Sequence, residues 1–340
     1  MTKISFYGVK QWEKEYLEEK VAQVARDAEV LFSEEILDKS HIPTDTSADI
    51  VSVFVDSTID NEVLSKFPNL KFIATRSTGY DHVDLVACKE RGIVVSSVPS
   101  YGENTVAEFA FALILSLSRK IFEGYDRIKE KGSFSFDGLQ GFDLMGKTIG
   151  IVGAGHIGQF SIKIAKGFGM KVVAYDPYPN ENLAKELGFE YKDFDGLLKE
   201  SDVITIHVPY LKTTHHLFNE EKFSLMKKTA ILVNTSRGPI IDTQALVSAL
   251  KEGKIAGAGL DVLEEESVIK DEMEFLKKGS GEGHDLKTII ANHVLIDLPN
   301  VVMTPHNAFN TGEALRRILD TTIENIKGYL VVGIPVNLVK

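Results

Sequence analysis

Cysteine is almost missing from this chain: Cys88 is the only one among 340 residues. An internal disulfide is therefore impossible, which fits a reducing compartment, and the cytoplasm is the expected location. Cys88 sits in an apolar helical stretch and reads as a small buried residue rather than a nucleophile. The first residues, 1–9, form a short strand-like run and lack the pattern of a secretory leader. Long apolar runs are missing too. The most apolar stretch, residues 107–117, is interrupted by Glu108 and is too short to span a bilayer. Basic residues are in deficit, 38 Lys plus Arg against 49 Asp plus Glu, a formal net charge of −11. That balance argues against a nucleic-acid or anionic-membrane partner. Internal repeats and low-complexity tracts are absent, and no metal site is expected.

What is present is a chain long enough for two domains, each with its own core. The most informative stretch is 147–176. Thr148-Ile149-Gly150-Ile151-Val152 reads as a buried strand and runs directly into Gly153-Ala154-Gly155-His156-Ile157-Gly158. An amphipathic helix follows to about Phe168, then a second strand, 171–175, that ends on Asp176. This is the βαβ dinucleotide fingerprint in its required context. Gly153 permits the tight turn, Gly155 lets the backbone approach a pyrophosphate, and Gly158 lets helix pack on strand. The helix N-terminus offers free N–H groups to the phosphates. Asp176 suits a ribose 2′-OH and repels a 2′-phosphate, so NAD is expected over NADP.

Residues 1–100 alternate strand-like segments (3–7, 50–55, 71–75, 93–95) with helix-like ones (11–25, 60–66, 83–91), the rhythm of a parallel sheet covered by helices. Val98-Pro99 marks a joint. Ser100-Tyr101-Gly102-Glu103 reads as a capping box opening one long helix, 103–131, that is apolar on nearly every side between Val106 and Leu117. A homodimer with this helix in the interface is expected. Strands recur at 148–152, 171–175, 203–208, 230–234, 256–260 and 301–304, with helices at 180–187, 195–200, 219–226 and 242–252. The stretch 311–329 is amphipathic and is expected to return to the first domain. The predicted architecture is α/β: two doubly wound parallel-sheet domains, Rossmann-like and flavodoxin-like, with an active-site cleft between them. The substrate domain comprises 1–100 plus 310–340 and the NAD-binding domain 101–309. Residues 264–297 break the rhythm and read as an exposed excursion, with Gly279-Ser280-Gly281-Glu282-Gly283 near its middle.

Ligands of open α/β sheets sit beyond the carboxyl ends of the strands. There the sequence places Pro209, Asn234-Thr235-Ser236-Arg237-Gly238, Asp261 and Pro305-His306, with Arg76-Ser77-Thr78-Gly79 in the first domain. That set suits reduction of a 2-keto acid, which needs a hydride donor, a cation for the carboxylate and a proton for the new hydroxyl. Arg237 is the candidate clamp and His306 the acid/base. A carboxylate beside His306 would favour the imidazolium, and Glu264, Glu265 and Glu266 are all candidates.

The motifs Gly153-Ala154-Gly155-His156-Ile157-Gly158, His207-Val208-Pro209, Asn234-Thr235-Ser236-Arg237-Gly238, Gly259-Leu260-Asp261-Val262 and Thr304-Pro305-His306 together resemble the D-isomer-specific 2-hydroxyacid dehydrogenase family, closest to its D-lactate branch. The segment from Arg76 to His82 and Tyr101 match its substrate-domain motifs, so the resemblance spans essentially the whole chain. It implies Arg237 as substrate binder, His306 as acid/base and Glu266, five residues after Asp261, as the paired carboxylate. It also implies that the backbone amides of Thr78 and Gly79, with Tyr101 nearby, hold the substrate carboxylate. Cofactor contacts carry over to His156, Ile157, Asp176, Val208, Pro209, Thr214, Thr235, Ser236 and Asp261. The expected reaction is reduction of pyruvate to D-lactate by NADH. Alternatives are a larger 2-keto acid of the D-2-hydroxyisocaproate type, phosphoglycerate, or a non-enzymatic NAD-sensing protein of the corepressor kind. Asn310 stands where many of the lactate branch carry an aromatic residue, which bears on side-chain preference.

Overall fold

Short β-branched and apolar runs become parallel strands throughout. The computed structural model describes residues 1–266 and 285–339, and the chain divides into two units, Met1–Tyr101 with Thr311–Lys340, and Gly102–Asn310. In the first unit the elements are β1 (Lys3–Phe6), α1 (Gln11–Val24), β2 (Glu29–Phe32), β3 (Ile50–Val53), α2 (Asn61–Lys66), β4 (Phe72–Thr75), α3 (Leu85–Glu90) and β5 (Val94–Ser96). The strand order is β2-β1-β3-β4-β5, the flavodoxin-like winding. β3 and β4 are buried at every residue, as expected where helices cover both faces of a parallel sheet. The sequence pattern does not reveal β2. It is a four-residue edge strand, Glu29-Val30-Leu31-Phe32, too short and too exposed at Leu31 to show the burial pattern of a central strand. Asp60 and Asp84 cap α2 and α3 by accepting from the N–H groups of Val63 and Ala87.

The second unit holds α4 (Glu103–Ser118), α5 (Ile121–Lys131), β6 (Thr148–Val152), α6 (His156–Gly167), β7 (Lys171–Tyr175), α7 (Glu181–Leu187), β8 (Glu190–Tyr191), α8 (Phe194–Glu200), β9 (Val203–Ile206), α9 (Glu220–Leu225), β10 (Ile231–Asn234), α10 (Thr243–Lys251), β11 (Gly257–Leu260), α11 (Leu286–Asp297) and β12 (Val301–Met303). Its seven strands are ordered β12-β11-β10-β9-β6-β7-β8. That is the Rossmann order with a seventh strand added beyond β11, and the winding reverses between β6 and β9. The one strand of this sheet that the sequence pattern does not reveal is β8, only two residues long.

Three expectations about helices need correction. The helix anticipated over 103–131 is two helices, broken where Lys120 takes a left-handed conformation at φ 51°. Gly102, rather than Ser100, is the N-cap of α4, and its position carries no side-chain cap bond. In the single chain α4 leaves Glu108 and Ala112 exposed, while Leu113 and Ile114 pack into the core with residues of α6 and β6. Finally, the excursion contains a regular helix. α11 is capped by Asp285, buries Ile289, Ala291 and Leu295, and packs on α10 in the crossover from β11 to β12. Its apolar residues point several ways, which hides the helical period. The glycines at 279–283 lie outside the described residues.

The last helix, α12 (Gly312–Val332), belongs to the first unit. Thr311 caps it by accepting from the Ala314 N–H, and Gly333 ends it at φ 76°. Leu319, Ile323 and Ile326 join Ile4, Phe6, Leu17, Val21 and Phe72 in one core, and Tyr329 stacks on Phe72 at 4.6 Å.

Candidate functional site

The turn after β6 is shaped by contacts that exclude side chains. Gly153 sits at φ 97°, and a Cβ there would lie 2.7 Å from the His207 carbonyl oxygen. A Cβ on Gly158 would collide with the Gly153 carbonyl. Above Gly155, the N-cap of α6, there is open space: a Cβ there meets nothing within 4 Å. His156 and Ile157 form the first turn of α6, leaving its N–H groups toward that space. At the end of β7, Asp176 accepts from the Ala154 N–H through Oδ2 and the Tyr178 N–H through Oδ1, both at 2.9 Å. The residue therefore clamps the glycine turn as well as presenting a carboxylate.

Beyond β9 and β10, hydroxyls organise the rim. Thr214 donates to the Pro209 carbonyl at 2.8 Å and accepts from the Leu211 N–H at 2.7 Å, closing the loop after Val208 and Pro209. Ser236 donates to the Ile206 carbonyl at 2.8 Å and joins the two strand ends. Thr235 differs: its Oγ1 is buried with no partner, a hydroxyl held ready for a ligand atom. Asn234 accepts from the Ser236 N–H and donates to the Arg237 carbonyl, which fixes the backbone of Arg237. The Arg237 guanidinium is half-buried and donates through Nη1 to the Ser236 carbonyl at 2.8 Å.

Past β12 the chain turns sharply, and His306 adopts φ 51°. Asp261, wholly buried at the end of β11, holds this turn. Its Oδ1 accepts from the Thr304 hydroxyl and, at 2.8 Å, the Asn307 N–H; its Oδ2 accepts from the Ala308 N–H at 2.8 Å. Burial raises its pKa, and these hydrogen bonds oppose the rise. Both oxygens of Asp261 thus serve the His306 turn, a role its sequence position alone does not suggest. His306 Nδ1 meets Glu266 Oε1 at 2.9 Å. The other glutamates of the run go elsewhere. Glu264 pairs with His216 Nε2 at 2.7 Å and accepts from the Thr243 N–H and hydroxyl. Glu265 carries a left-handed backbone, φ 51°. The three form no simple solvated face.

His207 stands in a sequence motif that gives it no role of its own. Its Nε2 lies 2.9 Å from the Ser161 hydroxyl and 3.1 Å from that of Thr205, while Nδ1 is buried without a partner. Burial drives its pKa down to about 3, so the ring is neutral. Only its position at the winding reversal could have flagged it. In the first unit, Thr78 and Gly79 follow β4 and Arg76, and Tyr101 accepts through its carbonyl from Arg317 Nε. Among the described residues no cluster of His, Cys, Asp or Glu is placed to hold a metal ion, and no helix is long and apolar enough to cross a membrane.

Comparison with known proteins now decides the family. The model of the D-isomer specific 2-hydroxyacid dehydrogenase NAD binding domain matches residues 111–308. The chain belongs to that family. It is 39% identical over 328 residues to the D-lactate dehydrogenase of Escherichia coli, covering 95% of each chain. It is 40% identical over 297 residues to the glyoxylate reductase of Thermococcus litoralis, covering 86% of this chain and 83% of that protein. Among solved structures, D-lactate dehydrogenase from Aquifex aeolicus, crystallised with NAD and lactic acid, superposes with a TM-score of 0.84 at 37% identity over 98% of each chain. As a member of the 2-hydroxyacid dehydrogenases the protein is an NAD-dependent oxidoreductase. The site fits that cofactor: a side-chain-free turn at a helix N-terminus for phosphates, a carboxylate at the end of β7 for a ribose, and an unpartnered Thr235 hydroxyl at the reversal of winding.

Proposed function

We propose that this dehydrogenase interconverts pyruvate and D-lactate. The observation that carries the reading is the His306–Glu266 pair at the end of β12, on a sheet that also presents Arg237 beyond β10 and a dinucleotide turn after β6. NADH, when bound, supplies the hydride that adds to C2 of the keto acid. Arg237 polarises the carbonyl and binds the carboxylate. His306 donates the proton to the carbonyl oxygen from Nε2, leaving a neutral imidazole. In the other direction it takes that proton back. Glu266 on Nδ1 fixes the tautomer and orients the ring for the transfer. The backbone amides of Thr78 and Gly79, with Tyr101, are assigned to the substrate carboxylate by the family resemblance. His156, Ile157, Val208, Pro209, Thr214, Thr235 and Ser236 are assigned to the cofactor side; Asp261, with both carboxylate oxygens taken by the His306 turn, acts there by holding that turn. The D-lactate dehydrogenases among the relatives support pyruvate as the substrate.

The reading extends to a homodimer in a reducing cytoplasm. α5 buries none of its residues, and Ile121, Phe122, Tyr125 and Ile128 form an exposed apolar stripe at helical spacing, which favours a second copy as cover. Free Cys88 is compatible with that compartment.

A panel of 2-keto acids with NADH, followed at 340 nm and by chiral analysis of product, tests the assignment. Pyruvate should give the highest kcat/KM and D-lactate the product. Faster turnover of glyoxylate or 2-ketoisocaproate would overturn the substrate assignment, and an unchanged absorbance with every acid would overturn the catalytic one.

A further inference from the structure

Arg76, which directly follows β4, is the bulkiest of the fully buried side chains, 1% exposed. Its guanidinium donates only to uncharged oxygens. Nη1 reaches the Ser52 carbonyl at 3.2 Å and hydroxyl at 3.3 Å, and Nη2 reaches the carbonyls of Tyr7 at 2.7 Å and Gly8 at 3.0 Å. No carboxylate of a described residue lies within ion-pair distance of it. Burial lowers its pKa to about 10, with Glu13 opposing the shift from further away, so the group stays protonated at neutral pH. A buried cation without a counter-charge is costly, and neutral hydrogen bonds at the ends of β1 and β3 do not require one.

The loop that follows supplies the reason. Ser77 donates its hydroxyl to the Gly79 carbonyl at 2.6 Å, and Thr78 donates its own to the Val98 carbonyl at 2.7 Å. The Thr75 hydroxyl reaches the Ser77 and Ser96 carbonyls from below. These bonds hold the loop rigid and consume its side-chain donors. The backbone N–H groups of Thr78 and Gly79 donate to no described residue. Two open N–H donors thus lie within three residues of a fixed, unneutralised cation, the elements of an anion-binding concavity.

We infer that Arg76 is the standing counter-charge for the substrate carboxylate, a positioning residue that draws the anion onto the Thr78 and Gly79 amides without touching it. This rests on the assignment of those amides to the carboxylate. Because the cation is enclosed, its field is little screened by salt, and because it is already immobilised, binding orders no further side chain.

Ser52→Asp tests this in the full-length protein, since it places a carboxylate beside Nη1 and cancels the charge while keeping the arginine. The expected result is a rise in the KM for pyruvate of about tenfold or more, the size of one lost charge interaction. The kcat and the Kd for NADH should stay within about twofold, with the Ki for oxamate rising in step with KM. An unchanged KM and Ki in folded Ser52→Asp would overturn the inference. Should that variant not fold, Arg76→Lys and Arg76→Gln replace it: Lys should keep the low KM and Gln lose it, whereas equal values in the two would overturn the inference. Oxamate binding to the NADH-loaded protein is measured by calorimetry alongside. Wild type that binds oxamate more tightly than Ser52→Asp yet reduces no keto acid supports Arg76 and sinks the proposed reaction; equal binding sinks Arg76.

Discussion

His306 occupies a backbone conformation that side-chain-bearing residues seldom adopt, and strain of that kind, about 1–3 kcal/mol, survives only where the surroundings enforce it. Here Asp261 enforces it from beneath by gripping Thr304, Asn307 and Ala308 around the histidine. His306→Ala should lower kcat by about a thousandfold or more while NADH still quenches protein fluorescence with unchanged affinity, because proton transfer is lost and the nucleotide turn is untouched. Arg237→Lys should lower kcat/KM for pyruvate by about a hundredfold, since a point charge replaces a planar fork; steady-state kinetics will read it. His207 makes a different prediction. Its folded pKa of about 3 lies below the ordinary 6.5, so between those values the unfolded chain binds a proton that the folded one does not. Stability from this group is complete above about pH 6.5 and is lost as pH falls toward 3, by up to ~1.4 kcal/mol per pH unit. Urea unfolding at pH 7 and pH 5 should show wild type losing about 2 kcal/mol more than His207→Gln. The placement of Arg237 and His306 just beyond the ends of β10 and β12 is legible in the sequence, because apolar runs mark the strands that precede them. The roles of Asp261 and His207 are not, because they follow from burial and from which oxygens their atoms meet.

At the level of elements, the glycine turn is the most readable part of the chain, since its φ angle and close approaches demand particular residues. Gly158→Val should push α6 off β6. A fall in NADH affinity of at least about tenfold, with a loss of about 2–3 kcal/mol of stability, is expected from calorimetry, in the range of overpacked sites. Less is readable where structure is decided by surroundings. β8 is two residues long, and β2 is a four-residue apolar run half-exposed at an edge, so neither shows the alternation or full burial that marks a strand in the sequence. The break between α4 and α5 rests on one left-handed lysine, and a continuous helical pattern does not reveal it. α11 escapes notice because it is apolar on more than one side.

For the whole molecule, the exposed stripe on α5 is joined by Phe134 and Phe136, 92% and 85% exposed, more apolar surface than a lone chain of this kind ordinarily leaves in water. Light scattering of dilute protein should give twice the chain mass, and Tyr125→Glu should halve it by placing a charge in the covered stripe. A monomeric wild type would reject the homodimer.

The route of α12 has a consequence for synthesis. The β1 to β5 sheet buries its face against residues 312–332, so these strands, made well before that helix, stay uncovered on the ribosome until it too has been translated. At about 5–20 residues per second, the roughly two hundred intervening residues impose a delay of roughly 10–40 seconds. During that interval Ile4, Phe6 and Phe72 await their cover, and nascent chains stalled before residue 312 should be captured by chaperones or degraded, however well their nucleotide-binding half has already folded.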